Sequence, residues 1–363
     1  LCCIDNFDLS ICSTKAANWF CNSIGGTYIS VAFIKFLSEK TGKKCCDLTV
    51  SVGHDSRISA DRIRDAVISV VKGMGVNVLN CSYCSTPAMF MTTVTRNCDG
   101  AIQITASHHP FDRNGLKFFT RDGGLSGEEL KEILSFAETE SVEVAEKIGT
   151  VTGIDYISEY AEILRNMIKQ GVNAPDYEKP LDGFKIAVDA GNGVGGFYAY
   201  NVLEPLGADI SGSRYLEPDG MFPNHIPNPE DKTAMESIKE AVIESRADFG
   251  VIFDTDVDRA GCVDSTGEEI NRNRLIALAS YIAANGPKGL TFVTDSVTSD
   301  GLKKFIEENL GCKHYRYRRG YKNVINKAVE LTNEGKDCPL AIETSGHAAL
   351  KENYFLDDGA YLI

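Results

Sequence analysis

Residues 100–119 read Gly-Ala-Ile-Gln-Ile-Thr-Ala-Ser-His-His-Pro-Phe-Asp-Arg-Asn-Gly-Leu-Lys-Phe-Phe. Residues 100–104 predict a strand, and residues 111–119 predict a turn followed by a second strand. Ser107 lies between them in a loop with two histidines and a proline, where a hydroxyl could serve as a nucleophile. Such loops are also ordinary turn chemistry. The rest of the chain must decide between a catalytic and a structural role for Ser107.

The alternation of strand and helix around Ser107 continues along the chain. Short apolar runs predict strands at 47–53, 76–79, 184–189, 248–253, 290–294 and 340–342. Apolar residues at helical spacing predict helices at 24–38, 59–74, 87–94, 126–137, 154–170, 235–246, 272–284, 298–309, 321–332 and, as a first turn only, 357–363. Ser59 is expected to cap the second of these helices. The rhythm predicts three α/β domains of similar size, at 1–150, 151–270 and 271–363.

Composition restricts the class of protein. The chain has 363 residues and a net charge of −14, which argues against nucleic acid or an anionic membrane as the main partner. No apolar run is long enough to span a membrane. The 12 cysteines in a large acidic chain indicate reduced thiols rather than a disulfide framework. Cys81 and Cys84 could form half a zinc site, but no second C-x-x-C or H-x-H lies nearby.

The acidic segment Asp254-Thr255-Asp256-Val257-Asp258-Arg259 directly follows a predicted strand. Its alternating carboxylates offer three oxygen ligands on one side of an extended loop, which suits Mg²⁺. An EF-hand is excluded, because Arg259 and Ser265 stand where that motif needs Gly and Glu. An acidic turn is the alternative, but ligands of α/β proteins bind at the carboxyl ends of strands. The position therefore favours a metal site.

The segment Gly191–Gly196 satisfies the G-x-G-x-x-G spacing after a predicted strand. It would make the protein a nicotinamide-dependent oxidoreductase. That motif needs an acidic residue at a second strand end about twenty positions on; Asp209 is too near, and Glu217 lies in a loop with a proline. A glycine-rich turn that lets the backbone pass close to a helix is the favoured interpretation.

Two further polar segments could bind substrate. Glu343-Thr344-Ser345-Gly346-His347 follows a predicted strand and could hold sugar hydroxyls, with His347 moving protons near neutral pH. A polar turn is the alternative. Residues 316–322, Arg-Tyr-Arg-Arg-Gly-Tyr-Lys, form a basic run in an acidic protein. They could contact a phosphate or simply form a solvated face.

Together these segments resemble the α-D-phosphohexomutase family, in particular its phosphomannomutase/phosphoglucomutase branch. Residues 105–110 resemble the family's phosphoserine loop, residues 254–259 its metal loop and residues 343–347 its sugar-specificity loop. Residues 320–322 resemble a third-domain substrate contact. Residues 55–59 and 218–230 resemble parts of the first two domains. The matches run in family order from about residue 50 onward, and under this resemblance residues 191–196 are a structural turn of the second domain.

The resemblance implies a fold of three consecutive similar α/β domains with mixed sheets, with the family's fourth, phosphate-binding domain absent from this chain. It implies a phosphohexomutase that interconverts hexose 1-phosphate and 6-phosphate, of glucose or mannose, through a phosphoserine and a bisphosphosugar intermediate. It also implies one Mg²⁺ per chain and a bisphosphosugar activator. The implied metal ligands are Ser107, Asp254, Asp256 and Asp258; the catalytic residues are Ser107, His108 and Lys117; and the substrate contacts are Arg259, Gly320, Tyr321, Lys322, Glu343, Ser345 and His347.

The chain departs from the family in two respects: residues 1–20 show no G-[ST]-x-[GI]-x-R-G segment, and the family's fourth domain is not found. The chain starts at Leu1 without a signal-peptide pattern, so a fragment or a trimmed start is expected. A non-catalytic sugar-phosphate-binding relative and a phosphoglucosamine mutase are the alternative functions. We expect a phosphosugar substrate, no nucleic acid or membrane partner, and a monomer or weak dimer. The cytoplasm is the expected location, or the plastid stroma if a transit segment has been removed.

Overall fold

The computed structural model describes residues 23–139, 144–284 and 289–363. They form two compact units. The first contains the described residues up to Tyr160 together with Asp219–Met221, and the second contains Ala161–Pro218 and Phe222–Ile363. The family's opening segment, expected near residues 1–20, lies outside the described residues. In the described parts of the chain, no helix is long and apolar enough to cross a membrane.

The first unit is built on one mixed sheet. Its strands are β1 (Thr49–His54), β2 (Asn77–Tyr83), β3 (Gly100–Ile104), β4 (Leu116–Thr120), β5 (Gly123–Gly124) and β6 (Val151–Gly153). They lie in the order β5-β4-β3-β1-β2-β6, with β4 and β5 antiparallel to their neighbours and the other pairs parallel. The accompanying helices are Ser23–Thr41, Ala60–Gly73, Thr86–Thr95 and Gly127–Thr139, with Tyr156–Val172 crossing into the second unit. β1 and β3 are buried almost throughout, and their polar side chains Ser51 and Gln103 are hydrogen-bonded, to Thr92 Oγ1 and to Cys84 O.

The second unit contains two sheets. The first has β7 (Ile186–Asp189), β8 (Phe249–Phe253) and β9 (Ala260–Asp264) in that order. The second has β10 (Thr291–Asp295), β11 (Lys313–Tyr317), β12 (Leu340–Ile342), β13 (Ala348–Leu350) and β14 (Leu356–Asp357), in the order β11-β10-β12-β13-β14. The helices of this unit are Lys232–Ser245, Asn273–Ala283, Asp300–Lys304, Tyr321–Asn333 and Gly359–Leu362. All three sheets are mixed, which confirms the predicted fold class.

Each sheet contains the same local pattern. A first strand pairs in parallel with a second strand, and the second is followed by a loop and an antiparallel return strand. These trios are β1-β3-β4, β7-β8-β9 and β10-β12-β13. The three intervening loops are residues 105–115, 254–259 and 343–347. These three loops contain the serine, carboxylate and polar segments that the sequence predicts to be functional. Each therefore lies at the carboxyl end of a sheet strand, where α/β proteins bind their ligands.

Most predicted helices and strands are found within a few residues of their expected ends, but two local predictions were wrong. The Ser59 side chain does not cap the following helix; it hydrogen-bonds Asn114 of the Ser107 loop instead. The turn 191–196 approaches loop backbone rather than a helix: a Cβ on Gly193 would lie 2.6 Å from Thr255 O. The helix predicted at 298–309 is found, and its second half, Phe305–Asn309, is π-helical.

Candidate functional site

Ser107 lies in the loop after β3 with a left-handed backbone, at φ 52°. Its amide donates a hydrogen bond to Thr105 Oγ1 at 2.9 Å, and its Oγ lies 3.3 Å from His108 Nδ1. The ring of His108 stacks on that of His109, with centroids 4.9 Å apart. A serine rarely adopts a positive φ, and such strain persists only where surrounding contacts enforce it. The loop is therefore held in one conformation that places the Ser107 hydroxyl beside an imidazole.

The contacts that enforce this conformation come from Arg57, a residue for which no individual role was predicted. Its guanidinium donates to the carbonyl oxygen of Ser107, to that of His109 at 2.8 Å and to that of Pro110 at 2.6 Å. Asp55 fixes the other side of the guanidinium, with Nε to Oδ2 at 3.1 Å. Both charged side chains are buried. A planar fork of donors can hold several carbonyls at once, which an ammonium group cannot.

Lys117, predicted to stabilise charge near Ser107, lies on the return strand β4. It is buried and pairs with Gln103 of β3 across the antiparallel ladder. The Lys117 side chain therefore belongs to the strand that leads away from the Ser107 loop. The proposed roles of Lys117 and His108 in the reaction stay predictions.

The loop after β8 carries three buried carboxylates. Oxygen atoms of Asp254, Asp256 and Asp258 all lie within 4.8 Å of one another. Arg259 folds back on the loop: its amide donates to Asp254 Oδ1 at 3.1 Å and its Nε to Asp254 Oδ2 at 3.0 Å. Burial and the charge of Asp258 raise the pKa of Asp254 well above its ordinary value, and the Arg259 guanidinium opposes this rise. The loop thus concentrates negative charge that one arginine neutralises only in part.

This donor set fits a hard divalent cation. All three side chains offer oxygen, the type of ligand that Mg²⁺ prefers, and a bound cation would relieve the repulsion among them. A second group, Asp258 with His347 and Asp357, also has its ligand atoms within 4.8 Å. In that group, however, His347 Nδ1 is already 2.6 Å from Asp357 Oδ2. The all-carboxylate set is therefore the better candidate for the metal.

Backbone strain and close packing hold the carboxylate loop in place. Val257 is buried and has φ 67°, a conformation that a β-branched residue very rarely adopts. Its carbonyl accepts a 3.1 Å hydrogen bond from Gly359 N, and Thr255 O accepts one of 2.8 Å from Val194 N. Gly193 is required beneath this loop, because any side chain there would overlap Thr255. The glycine-rich turn that suggested a dinucleotide site therefore supports the carboxylate loop instead.

The loop after β12 presents Glu343 and Ser345 as hydrogen-bonding groups. Glu343 Oε1 accepts the Gly320 amide at 2.6 Å, and Ser345 Oγ donates to Glu343 Oε2 at 3.3 Å. Burial raises the pKa of Glu343, and the Gly320 amide opposes this change. Gly320 belongs to the segment that resembles a substrate contact, so the structure brings two of the predicted binding segments together.

His347 ends this loop and is fixed on two sides. Its Nδ1 is 2.6 Å from Asp357 Oδ2, and the ring of Tyr321 stacks on it with centroids 4.8 Å apart and planes at 24°. An imidazole whose Nδ1 bonds a carboxylate has a defined orientation and tautomer. Lys322 is the next residue after Tyr321 in the helix Tyr321–Asn333, and its contact with substrate stays a prediction.

The carboxylate loop and the Glu343–His347 loop touch each other within the second unit. An antiparallel backbone bridge pairs Arg259 with His347. A Cβ on Gly346 would lie 2.8 Å from Ala260 O, which shows how closely the two backbones approach. A cavity of about 270 Å³ borders the Glu343–His347 loop along Ser345 and Gly346. The three predicted carboxylate ligands and the Glu343–His347 loop therefore adjoin each other within this unit.

The basic run 316–322 does not act as one group. Arg316 belongs to the edge strand β11 and donates to Asp300 Oδ1 at 2.8 Å, so it is engaged in an exposed ion pair. Gly320 and Tyr321 instead contact Glu343 and His347 at the site. Gly320 and Tyr321 therefore join the candidate site, whereas Arg316 pairs with Asp300.

The protein is a multidomain α/β protein built on repeated mixed sheets. Its serine loop, its carboxylate loop and its Glu343–His347 loop lie at equivalent carboxyl ends of strands. Family models for phosphoglucomutase/phosphomannomutase alpha/beta/alpha domains I, II and III match residues 26–143, 158–267 and 271–363. The chain belongs to the phosphoglucomutase/phosphomannomutase family, and the resemblance to the α-D-phosphohexomutases is confirmed.

Individual relatives agree with this assignment. A phosphoglucomutase of Neisseria meningitidis is 30% identical over 313 residues, covering 86% of this chain and 64% of the relative. A phosphoglucosamine mutase of Nautilia profundicola is 32% identical, covering 92% of this chain and 74% of the relative. The crystal structure of a phosphoglucomutase/phosphomannomutase family protein from Burkholderia thailandensis superposes with a TM-score of 0.80 at 26% identity, over 94% of this chain and 71% of that one. The chain thus spans less than two thirds of the length of the Neisseria protein.

Proposed function

We propose that the protein is a phosphohexomutase that interconverts hexose 1-phosphate and hexose 6-phosphate through a phosphoserine at Ser107. The observation that carries this proposal is the pair of adjoining loops in the second unit. There, Arg259 of the three-carboxylate loop pairs with His347 of the polar loop. Phosphoryl transfer asks a protein mainly for positioning and for stabilisation of negative charge. A metal site adjoining groups that bind hydroxyls supports that chemistry on a sugar phosphate.

In the proposed reaction, the bond between Ser107 Oγ and phosphorus breaks as an oxygen–phosphorus bond forms on the sugar hydroxyl. The hydroxyl proton leaves to a nearby base, for which His108 is our candidate, since its Nδ1 is 3.3 Å from Ser107 Oγ. The bisphosphosugar then turns around and returns its other phosphate to Ser107. Lys117 would stabilise charge on the transferring group.

Asp254, Asp256 and Asp258 would hold Mg²⁺, with phosphorylated Ser107 as a further ligand in our proposal. When bound, the metal supplies positive charge that lowers the cost of gathering phosphoryl oxygens. Glu343, Ser345 and His347 would hold sugar hydroxyls, and Gly320, Tyr321 and Lys322 would complete the substrate contacts. Arg259 is proposed to meet a phosphate, although its guanidinium also bonds Asp254 and Asn228, so such a contact would share those donors.

The preferred sugar is the finer part of the proposal. Relatives named phosphoglucomutase, phosphomannomutase/phosphoglucomutase and phosphoglucosamine mutase all match at about 30% identity. We favour glucose and mannose phosphates, because the motifs taken together resemble the phosphomannomutase/phosphoglucomutase branch of the family. A bisphosphosugar activator is proposed as the source of the first phosphate on Ser107.

The test starts from the phosphoserine. We expect glucose 1,6-bisphosphate to add one phosphate to the chain, mapped to Ser107 by mass spectrometry, and Ser107→Ala to abolish it. Ser38→Ala is the matched control, since its hydroxyl bonds only nearby backbone on an exposed helix end. Coupled assays on glucose, mannose and glucosamine 1-phosphates then rank the sugars. Sugar-phosphate binding without phosphate on Ser107 would overturn the mutase and favour the non-catalytic relative.

A further inference from the structure

Each of the three sheets places a buried aspartate at the carboxyl end of its first strand. Asp55 directly follows β1, Asp189 ends β7 and Asp295 ends β10, and all three are fully buried. Each carboxylate accepts the amide two residues further on: Arg57 at 3.0 Å, Gly191 at 2.9 Å and Val297 at 3.3 Å. The trios of strands described above therefore share a side chain as well as a topology.

In the first sheet, the aspartate acts on the Ser107 loop through one intermediary. Asp55 Oδ2 accepts Arg57 Nε at 3.1 Å, and the same guanidinium bonds the carbonyls of Ser107 and His109. The amide of Asp55 also donates to Ile104 O, the last carbonyl of β3. The carboxylate thus fixes the group that fixes the serine loop.

In the second sheet, the aspartate supports two segments that flank the carboxylate loop. Asp189 Oδ1 accepts the Gly191 amide of the turn whose Val194 amide bonds Thr255 O. Both Asp189 oxygens also meet His225 Nε2, at 3.0 and 3.1 Å. His225 belongs to the segment that delivers Asn228 Oδ1 to Arg259, at 3.2 Å.

Ser237 completes the environment of Asp189, donating from Oγ to Oδ2 at 2.6 Å. Although burial disfavours the charged ring, the hydrogen bond and charge of Asp189 raise the pKa of His225. Two donors and a buried ion pair therefore lock this carboxylate in a single orientation.

In the third sheet, the contact is direct. Asp295 Oδ2 accepts both the amide and the hydroxyl of Thr344, at 3.0 and 2.7 Å. Thr344 lies between Glu343 and Ser345, the residues proposed to bind sugar hydroxyls. Loss of these bonds would remove the side-chain contacts that tie the Glu343–His347 loop to the neighbouring strand β10.

We propose that Asp55, Asp189 and Asp295 are positioning residues with one shared role, in which the aspartate ending the first strand fixes the functional loop that follows the neighbouring parallel strand. The roles of those loops rest on the proposed function. Asparagine at each position keeps the size and the turn acceptor but removes the charge and one accepting oxygen. Each substitution should therefore impair a different step, because each loop serves a different step.

The experiment measures three properties of the whole chain for Asp55→Asn, Asp189→Asn and Asp295→Asn. These are the rate of Ser107 phosphorylation by glucose 1,6-bisphosphate, the Mg²⁺ affinity by calorimetry and the affinity for glucose 6-phosphate. We expect a loss of about tenfold, the equivalent of roughly 1.4 kcal/mol, in phosphorylation, Mg²⁺ binding and sugar-phosphate binding respectively. Effects on affinities measured at the other two loops should stay small.

The matched control is Asp99→Asn. Asp99 is also buried and accepts the Thr49 amide at 3.0 Å, but it lies at the opposite end of the first sheet, beside Lys43. It should lower stability and leave all three properties unchanged. If an aspartate variant fails to fold, Ser237→Ala and Thr344→Val remove single donors to Asp189 and Asp295 and take its place.

Uniform losses in all three variants, or losses equal to those of Asp99→Asn, would overturn the positioning role. A wild-type chain that lacks all three properties would instead count against the proposed function itself.

Discussion

Replacing Arg57 by lysine tests how the serine loop is held. The arginine bonds four backbone carbonyls, those of Ser107, His109, Pro110 and Arg113, and also pairs with Asp55. A lysine keeps the charge but offers its donors from a single point, so it cannot span this set. At least two charge-assisted bonds are lost, each worth about 1.5–3 kcal/mol. We therefore expect Arg57→Lys to lower the free energy of unfolding by about 3–6 kcal/mol, the worth of two such bonds.

That loss should leave a folded protein, since domains of this kind have roughly 5–15 kcal/mol of stability. The functional loss should be larger than the loss of stability implies, because Ser107 would no longer be forced into its left-handed conformation. Urea unfolding gives the free energy, and the rate of Ser107 phosphorylation by a bisphosphosugar at low urea gives the function.

Arg96→Lys is the matched control. Arg96 pairs with Glu159 through two of its nitrogens, but its side chain is about half exposed, at 47%. An exposed pair is worth at most about 1 kcal/mol. Arg57 would not be the residue that holds the serine loop if Arg57→Lys lowered the free energy of unfolding no more than Arg96→Lys. The same would follow if it destabilised the protein without slowing phosphorylation.

Three further predictions concern the second unit. Gly193→Ala should weaken Mg²⁺ binding and cost about 1–3 kcal/mol of stability, because its Cβ would lie 2.6 Å from Thr255 O. Gly171→Ala, in an open position, is the control, and equal Mg²⁺ affinities for the two variants would contradict the overlap. Since Asp189 raises the pKa of His225 against the effect of burial, their pairing should stabilise the fold fully below a pH of about 6.5 and lose this effect as pH rises through the higher folded pKa. The stability difference between wild type and His225→Gln should therefore shrink as pH rises, and a constant difference would count against the ion pair. Saturating Mg²⁺ should raise the melting temperature over EDTA, with about 2.7 kcal/mol of stabilisation at one hundred times Kd, and Asp256→Asn should remove most of that shift.

The fold could be predicted from the sequence because its strands and helices carry strong local patterns, and because the motifs occur in family order. The strand β11 was missed for a physical reason. Its sequence, Lys-His-Tyr-Arg-Tyr, has three charged or polar residues and no aliphatic one, as suits an edge strand that is only partly buried. The Ser59 cap failed because Asn114, distant in sequence, competes for the same hydroxyl. Tertiary contacts of this kind leave no local signal.

The same limit applies to the site. The sequence identified the loops that carry chemistry, because serine, aspartate and histidine in short motifs are visible locally. It gave no role to Arg57 or Asp295, whose partners lie about fifty residues away in the chain. One signal was available: Asp295 ends a buried strand and Arg57 lies three residues after one, and a charged side chain is buried there only if it is paired. A charged residue at the end of a buried strand therefore predicts a contact with the loop of the neighbouring strand.

Two of the three functional loops contain a non-glycine residue in a strained, left-handed backbone conformation. Ser107 and Val257 both have positive φ, at 52° and 67°, and neither is a glycine or asparagine. Strain of this kind costs about 1–3 kcal/mol and persists only where neighbouring contacts outweigh it. Around Ser107 those contacts are the carbonyl bonds of Arg57, and around Val257 they are the bonds from Gly359 and Val194 to the loop backbone. The third loop places a glycine, Gly346, at its positive φ and is held directly by Asp295. Both strained loops are thus held by bonds from residues outside the loop, as expected if those residues hold the reactive groups in place.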